Sequence, residues 1–338
     1  MSNALKTPIA PEAEAPLASI NAIAQAAAQT LGSTVQPPKP IVEAPKRVVF
    51  FQSDKGGVGK STAARSMIYY FRDYLDSGTM AVDTNEGVWS TAKLYAIRDA
   101  NGEIDFGANR DDALLERPRG ALVVDLRRDN GREALLDTIV ETKAQTIVAD
   151  VGAKEIDFLA ALFGSVETFG RRLHKQYGFE VVVVHVLRDD AESAASLYDA
   201  LVEWGPGIKH VAALVAHDTE QIDAAFDFFE GVRKVGNRSI SPRGALELVD
   251  GTVFRMPTLF GAEKILKAFM AAGVPLTPLD AALPDELKSA SSKGRIFDFL
   301  DAACETFDEV FSEVVESPGA SKTAIAQIKA SVKPVGGV

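Results

Sequence analysis

The sequence predicts an α/β fold built on a doubly wound, mostly parallel β-sheet flanked by helices. Three features predict it: short β-branched runs recur along the chain, these runs are apolar throughout, and each is followed by a polar or helical stretch. Apolar residues on both faces of a strand indicate a sheet that is covered on both sides. Strands that alternate with helices indicate parallel pairing, because a parallel connection must return across the sheet.

Composition and net charge indicate an ordinary globular protein and argue against several other classes. The chain has 338 residues, of which 46% are hydrophobic and 25% charged, as in ordinary globular proteins. The one cysteine, Cys304, cannot form an internal disulfide. A net charge of −11 argues against a surface coated in positive charge for nucleic acid. No apolar run approaches the roughly 20 residues that span a bilayer, and the first residues lack a secretory pattern. We expect a cytoplasmic protein.

Three segments follow from the pattern along the chain. Residues 1–45 are rich in Ala and Pro and lack aromatic residues, which predicts a disordered arm. Residues 46–317 carry the strand and helix pattern, and residues 318–338 predict a flexible tail. The predicted strands are "RVVFFQS", "TMAVDT", "ALVVDL", "TIVADV", "EVVVVHVL", "HVAALVAHD" and "TVFRMPTLF". Helical spacing of apolar residues predicts helices over 61–74 and 295–316, the second with an apolar face of Ile296, Phe297, Leu300, Ala303, Phe307, Val310 and Phe311.

The turn after the first strand, "SDKGGVGKST" (53–62), is a candidate anion site. Its glycines let successive backbone N–H groups point at one anion, and the helix that follows adds its positive end. The turn matches the phosphate-loop pattern G-x-x-x-x-G-K-[ST] except at the first position, where Asp54 replaces glycine. The pattern is typical of nucleotide binding between a strand and a helix.

This pattern assigns a role in nucleotide binding to three polar side chains at the end of the loop. Lys60 is expected to contact the β- and γ-phosphates, Ser61 to bind Mg²⁺ through its hydroxyl, and Thr62 to lie near the α-phosphate. A plain glycine turn would need neither the lysine nor the two hydroxyls. The residues predicted to bind nucleotide are Asp54, Lys55, Gly56, Gly57, Val58, Gly59, Lys60, Ser61 and Thr62.

The second lysine of the loop carries a family resemblance. "KGGVGKST" resembles the deviant Walker A motif of the ParA/MinD family of P-loop ATPases, in which the additional lysine reaches the nucleotide of the partner subunit. Lys55 stands at that position. The resemblance implies a P-loop NTPase fold of the deviant Walker A class over residues 46–317, with ATP and Mg²⁺ as cofactors and a homodimer that forms on ATP binding. From the residues alone, Lys55 can also be a solvated surface lysine.

A second family landmark is altered in this chain. "MAVDTNEGVWST" (80–91) stands where the family has a strand ending in D-x-D. The resemblance gives Asp83 the role of holding Mg²⁺ through water. Asn85 replaces the second aspartate, which orients the attacking water in the family. An amide can hold a water but cannot accept its proton, so we expect slow hydrolysis. Glu86 is the nearest other carboxylate.

The later landmarks are more weakly matched. "TIVADVGA" resembles Walker B, which gives Asp150 a water-mediated contact with Mg²⁺, although the residue could also cap the next helix. Gly152 would let the backbone approach the γ-phosphate. The segment "AALVAHD" places His217 or Asp218 where the family often reads adenine, and "FRMPTLF" resembles the segment beside the base. Strand ends and core residues explain these last two segments equally well.

The resemblance implies an ATPase that dimerises with ATP and Mg²⁺ and that positions or partitions a cargo: a plasmid, a chromosome region or a protein assembly. A cargo adaptor or activating protein is then expected as a partner. Asn85 favours an alternative, a nucleotide-gated adaptor with little or no hydrolysis in plasmid maintenance or conjugation, similar to TraL-like accessory proteins. A small-molecule kinase is a third reading, against which Lys55 counts.

Basic clusters at 170–175 and 233–238 are candidates for nonspecific DNA contact, although solvated faces explain them too. The four histidines lie on different predicted elements and show no ligand spacing, so we expect no zinc site. Membrane contact by the tail is not expected, because its weak apolar pattern contains no Trp or Phe.

Overall fold

Seven strands form one sheet in the order β3-β2-β4-β1-β5-β6-β7, and every neighbouring pair is parallel. The computed structural model describes residues 46–85, 87–205, 208–216, 226–231, 240–311 and 327–328. The arm 1–45 and nearly all of the tail 318–338 lie outside the described residues. The strands are β1 Lys46–Gln52, β2 Thr79–Asp83, β3 Ala121–Val123, β4 Thr146–Asp150, β5 Phe179–Leu187, β6 Lys209–Val215 and β7 Thr252–Met256.

Helices connect these strands. They are α1 Lys60–Tyr69, α2 Ala92–Tyr95, α3 Phe106–Ala113, α4 Asp129–Glu141, α5 Ala160–Phe163, α6 Val166–Tyr177, α7 Ala191–Trp204, α8 Asp227–Glu230, α9 Pro242–Glu247, α10 Ala262–Ala272 and α11 Ala290–Phe311. Short 3₁₀ turns cover Glu155–Leu159, Asp280–Ala282 and Asp285–Leu287. Within the described ranges, no helix combines the length and the apolar composition needed to cross a membrane.

Two hydrophobic cores lie on opposite faces of the sheet. Along β1, Val49 and Phe51 belong to the core that includes α1, α10 and α11, whereas Val48 and Phe50 belong to the core that includes α4 and α6. Successive side chains of a strand point to opposite faces, so a strand covered on both sides must be apolar at every position. The predicted doubly wound, parallel α/β fold is therefore confirmed.

Two predicted helices differ in detail. The helix predicted over 61–74 is α-helical only to Tyr69 and continues as a π-helical turn, Tyr70–Tyr74, in which the buried Arg72 donates to the carbonyls of Thr79, Arg119 and Gly120 at 2.7–2.9 Å. The helix predicted over 295–316 begins earlier, at Ala290.

The apolar face predicted for this last helix contains one error. Phe297 is 56% exposed, whereas Phe299 is buried. Positions three and four residues apart share a helix face, and Phe299 follows Ile296 at that spacing while Phe297 does not. The remaining residues of the predicted face are buried as expected.

A buried polar chain crosses three adjacent strands. Gln52 Nε2 donates to His185 Nδ1 at 2.9 Å, His185 Nε2 lies 3.0 Å from His210 Nδ1, and His210 Nε2 lies 3.2 Å from the Gly205 carbonyl. Both imidazoles are fully buried. If each carries its proton on Nε2, every contact pairs one donor with one acceptor, and both rings are neutral. The histidines that appeared unrelated in sequence are therefore neighbours, and they bond to each other.

We predict that these histidines make the fold sensitive to acid. Burial lowers the pKa of His210 to about 4 and that of His185 well below its usual range, against about 6.5 when unfolded. Their contribution to stability is therefore complete above pH 6.5 and is lost as the pH falls. For His210 alone the loss by pH 4 is about 3 kcal/mol. Urea unfolding across this pH range measures it.

The control for this prediction is His210→Asn, whose Oδ1 can still accept from His185 but does not titrate. Its free energy of unfolding should fall less steeply with acid than that of the wild type. An equal fall in the two proteins would contradict the prediction.

Candidate functional site

A cavity of ≈ 640 Å³ opens at the carboxyl end of β1. Strands β2–β4 lie on one side of β1 in the sheet, and strands β5–β7 lie on the other. The strand order therefore reverses direction at β1. Open α/β sheets bind ligands at such a point, outside the carboxyl ends of the strands. The described residues that line the cavity include 55–63 from the glycine-rich loop, Arg65, Asn85, Val88, Ser90, Ala153, Arg188, Val215, Ala216, 256–259, Ala262, Leu266 and Phe299.

The loop has the backbone conformation that its glycines predict. Gly57 and Gly59 have φ of 75° and 94°, in the left-handed region that side chains disfavour. A Cβ on Gly59 would also lie 3.1 Å from the side chain of Val215. Gly59 is the N-cap of α1, so the free N–H groups of the first turn of that helix lie at the cavity wall. This arrangement suits an anion.

A buried ion pair joins the loop to β4. Lys60 Nζ donates to Asp150 Oδ1, and the two residues are 9% and 0% exposed. The other oxygen of this carboxylate, Oδ2, accepts from Ser90 Oγ at 2.9 Å and Thr91 Oγ1 at 2.8 Å. Burial raises the pKa of Asp150, but Lys60 and the hydroxyls of Ser61 and Thr91 outweigh it, so the pKa lies below its usual range. Asp150 therefore carries a full negative charge beside the loop.

Asp83 is also fully buried, and it organises the segment that follows β2. Its Oδ2 accepts from the backbone N–H groups of Thr91 and Ala92, both at 2.8 Å, and its Oδ1 accepts from Asn85 N–H at 3.0 Å. Burial and the charge of Asp150 raise the pKa of Asp83 to about 6. The carboxylate thus fixes the N-terminus of α2, a contact that the sequence motif did not indicate. Its predicted water-mediated contact with Mg²⁺ stays a prediction.

Asn85 lines the cavity, and its role toward the attacking water stays a prediction. Its carbonyl accepts from the N–H groups of Val88 and Trp89 at 3.1 and 3.0 Å, which closes a tight turn. Trp89 has a positive φ of 45°, a conformation that costs energy in a bulky residue. Glu86 lies outside the described residues.

Thr84 connects the ends of β2 and β4. Its Oγ1 donates to Glu155 Oε2 at 2.8 Å and accepts from Gly152 N–H at 3.1 Å. A Cβ on Gly152 would lie 2.3 Å from Glu155 Cδ. In this structure the space at Gly152 therefore accommodates the Glu155 carboxylate, and the next residue, Ala153, lines the cavity.

Lys55 has partners within its own chain. Its Nζ lies 3.2 Å from Glu192 Oε2 and 3.5 Å from Asp190 Oδ2, at the start of α7. The hydrogen bond to Glu192 and the charge of Asp190 raise the pKa of Lys55. The side chain is 45% exposed, so Lys55 is an ion-paired residue at the cavity mouth rather than a free surface lysine.

Three side chains of the cavity were missed by sequence reasoning. Arg65 is 3% exposed and donates to the Ser90 carbonyl, and its Nε has no hydrogen-bond partner in the part of the chain that the structure describes. Arg188 donates to the Gly57 carbonyl. Ser90 Oγ lies at hydrogen-bond distance, 2.8 Å, from Ser61 Oγ. The sequence contains a signal for one of these three residues, Arg65: it is an arginine that lies one turn after Ser61, among mostly small and apolar residues of α1.

The opposite wall of the cavity is apolar. It combines the end of β6 with the segment after β7, which contains Pro257, the residue predicted to lie beside a base. His217 and Asp218 lie outside the described residues. The apolar members are Val215, Ala216, Met256, Pro257, Leu259, Leu266 and Phe299.

The residues present suit a magnesium ion that is shared with a ligand. No cluster of three or more His, Cys, Asp or Glu side chains in the described part of the chain could hold a metal by itself. Ser61 Oγ and the Asp150 carboxylate instead supply the oxygen atoms that Mg²⁺ prefers, and Mg²⁺ is usually held by a few protein oxygens together with phosphates and waters.

The structure describes one of the two basic clusters that are predicted to contact DNA. Residues 233–238 lie outside the described residues. In 170–175, on α6, Arg171 lies 3.4 Å from Glu167, and the Arg172 guanidinium stacks over the Phe163 ring at 4.5 Å. Both arginines are exposed. Each is at least partly engaged by neighbouring side chains, and DNA contact stays a prediction.

No family model matches the chain, and no curated protein matches it. Among solved structures, it is similar to a ParA family ATPase from Chlorobium tepidum TLS, with 17% identity, a TM-score of 0.44 and coverage of 77% of this chain and 98% of that one. It is also similar to MinD of Aquifex aeolicus, in a MinC:MinD cell division complex (13% identity, TM-score 0.43, coverage 80% and 97%) and alone (13%, 0.40, 80% and 98%). Its structural neighbours thus include a ParA family ATPase and MinD.

Proposed function

We propose that the protein is a P-loop ATPase that binds ATP with Mg²⁺, dimerises when it does so, and positions or partitions a cargo. One observation carries the proposal: the cavity lining has four cationic side chains and, among the described residues, no carboxylate. Lys55, Lys60, Arg65 and Arg188 surround the glycine-rich loop, whereas the far wall is apolar. A nucleoside triphosphate has this same division between a polyanionic end and a flat, apolar end.

The ion pair between Lys60 and Asp150 suits this ligand. In the structure described, Asp150 takes the place beside Lys60 that a β- or γ-phosphate would take. A bound triphosphate is expected to draw Lys60 toward itself and leave the Asp150 carboxylate for a metal-bound water. When bound, Mg²⁺ would neutralise charge on the phosphate oxygens. Ser61 and Asp150 are the residues of this chain that would hold it, with Asp83 behind them.

Lys55 is the residue proposed to act across the dimer. Its partners Asp190 and Glu192 are partly exposed, and exposed ion pairs are weakly held. A lysine in such a pair can be transferred to a stronger anion at little cost, and the phosphates of a partner subunit's nucleotide would be one. Dimerisation would then depend on the triphosphate.

Asn85 determines how fast such a protein turns over. It lines the cavity, and the resemblance gives it the position of a carboxylate that assists the attacking water. Hydrolysis is therefore expected to be slow and the ATP-bound state long-lived. This observation favours a second candidate function, a nucleotide-gated adaptor with little hydrolysis in plasmid maintenance or conjugation. In either case we propose a cytoplasmic protein with a cargo adaptor or activating protein as partner. Nonspecific DNA is a further proposed partner.

The first prediction concerns Lys60. Lys60→Ala should abolish ATP binding measured by calorimetry, because the phosphates lose their main cation. The variant also leaves Asp150 buried without its counterion, which typically costs about 3–5 kcal/mol of stability. The double variant Lys60→Ala, Asp150→Asn removes that charge and should recover much of the stability without recovering ATP binding. Wild-type affinity in either variant would show that the loop does not bind the triphosphate.

The second prediction concerns Lys55. Lys55→Ala should leave ATP binding by the monomer nearly intact and prevent the dimer, as measured by analytical ultracentrifugation with a nonhydrolysable analogue. Glu192→Gln should do the opposite, because it frees Lys55 and so lowers the nucleotide concentration needed for dimerisation. Asp190 is unsuitable as the test residue, since it also caps α7 through Ser193 N–H at 2.7 Å. An undiminished dimer in Lys55→Ala would refute the role across the interface.

The third prediction concerns Asn85. Asn85→Asp should raise single-turnover ATP hydrolysis at least roughly tenfold, a change of about 1.4 kcal/mol in the barrier, because a carboxylate can accept a proton from the attacking water. The affinity for ATP should stay similar. Glu86→Gln is the control for the neighbouring carboxylate. A rate that responds to Glu86→Gln but not to Asn85→Asp would place the catalytic group one residue later.

A further inference from the structure

Three oxygen atoms from three separate segments meet beside the phosphate loop. Ser90 Oγ lies 2.8 Å from Ser61 Oγ and 2.9 Å from Asp150 Oδ2. Ser61 is the second residue of α1, Asp150 ends β4, and Ser90 lies in the turn that follows Asn85. The phosphate-loop and Walker B motifs account for the first two residues. Neither accounts for Ser90.

The spacing of these atoms suits neighbouring ligands of one small cation. Mg²⁺ takes six oxygen ligands in near-ideal octahedral geometry at 2.0–2.1 Å, which places adjacent ligands about 2.9 Å apart. Hydrogen-bonded oxygens have nearly the same separation. The hydroxyls of Ser61 and Ser90, which lie 2.8 Å apart, can therefore become neighbouring ligands of the ion with little movement, and Asp150 lies close enough to bind a water of that ion.

The backbone holds Ser90 in place from both sides. The Ser90 carbonyl accepts from the Arg65 guanidinium, and the next residue, Thr91, donates its N–H to Asp83 at 2.8 Å. Ser90 is 9% exposed, and it lines the cavity. Its hydroxyl is thus fixed by contacts that involve other atoms, which is the support that a precise ligand needs.

We propose that Ser90 is an additional protein ligand of the nucleotide-bound Mg²⁺, adjacent to Ser61. The inference rests on the proposed function, since the remaining ligands would come from the phosphates and water. It extends that function, because it makes the segment after Asn85 part of the metal site. Binding of the metal would then also fix the turn that contains Asn85, the residue that stands where the resembling family has an aspartate.

The first experiment measures ATP affinity by calorimetry over a series of Mg²⁺ concentrations and in EDTA. Ser90→Ala should raise the Mg²⁺ concentration that gives half of the gain in affinity by at least about tenfold, as loss of metal-site contacts typically does. Affinity in EDTA should be unchanged. Ser66→Ala is the matched control, because Ser66 is a buried serine of α1 whose Oγ donates only to the carbonyls of Thr62 and Ala63.

A second experiment separates a ligand from a residue that only orders the turn. Ser90→Cys places sulfur at the same position and should shift the preference from Mg²⁺ toward the thiophilic Cd²⁺, since soft cations favour sulfur ligands. The ratio of half-saturating Mg²⁺ to half-saturating Cd²⁺ should rise at least about tenfold relative to wild type. Ser66→Cys should leave this ratio unchanged.

The outcomes distinguish the two proposals. Wild-type Mg²⁺ dependence in Ser90→Ala, or an unchanged metal preference in Ser90→Cys, would overturn the role of Ser90 and leave ATP binding standing. Absence of ATP binding by the wild type in every buffer would overturn the proposed function, and this inference with it. Metal dependence that shifts in Ser90→Ala together with metal preference that shifts in Ser90→Cys supports the ligand.

Discussion

The buried ion pair between Lys60 and Asp150 is the interaction on which the site depends. It connects the first residue of α1 to the last residue of β4, so the loop and the adjacent strand are held in one arrangement. Two buried charges are tolerated here because each neutralises the other and because Asp150 also accepts two hydroxyl bonds. The same pair keeps a lysine ammonium in a low-dielectric position, where its attraction to phosphate is stronger than in water.

A second layer of contacts ties the segment after β2 to that pair. The Asp83 carboxylate accepts a hydrogen bond from the backbone of this segment at Thr91, and the hydroxyls of Ser90 and Thr91 donate to the Asp150 carboxylate. The segment is therefore joined to Asp150 by direct hydrogen bonds. A ligand that withdraws Lys60 changes the charge that Ser90 and Thr91 face, and a two-state element biased by ligand contacts is the physical requirement for a nucleotide switch.

The sheet was predictable because its central strands are covered on both faces, which favours apolar residues at most positions and makes them visible as a run such as "VVVV" in β5. The loop was predictable because its chemistry is local: left-handed glycines, a lysine and a hydroxyl in one stretch. Arg188 and Ser90 were not, since they reach the loop from 131 and 29 residues away. The error at Phe297 is of another kind, because one residue of offset on a helix changes the face by about 100°.

Three polar side chains of the glycine-rich loop already have partners in the described part of the chain, and any ligand must compete with them. Lys60 is paired with Asp150, Lys55 with Glu192, and Ser61 with Ser90. A triphosphate bound at the loop would have to replace the contacts of Lys60 and Ser61, so its net affinity would be the difference between the bonds it makes and those it breaks. The contact of Lys55 would be replaced only when the partner subunit binds. The three contacts join the loop to different segments: Lys60 to the end of β4, Lys55 to the start of α7, and Ser61 to the turn after Asn85. Release of all three would therefore need both a ligand at the loop, which competes for Lys60 and Ser61, and an anion at the start of α7, which competes for Lys55.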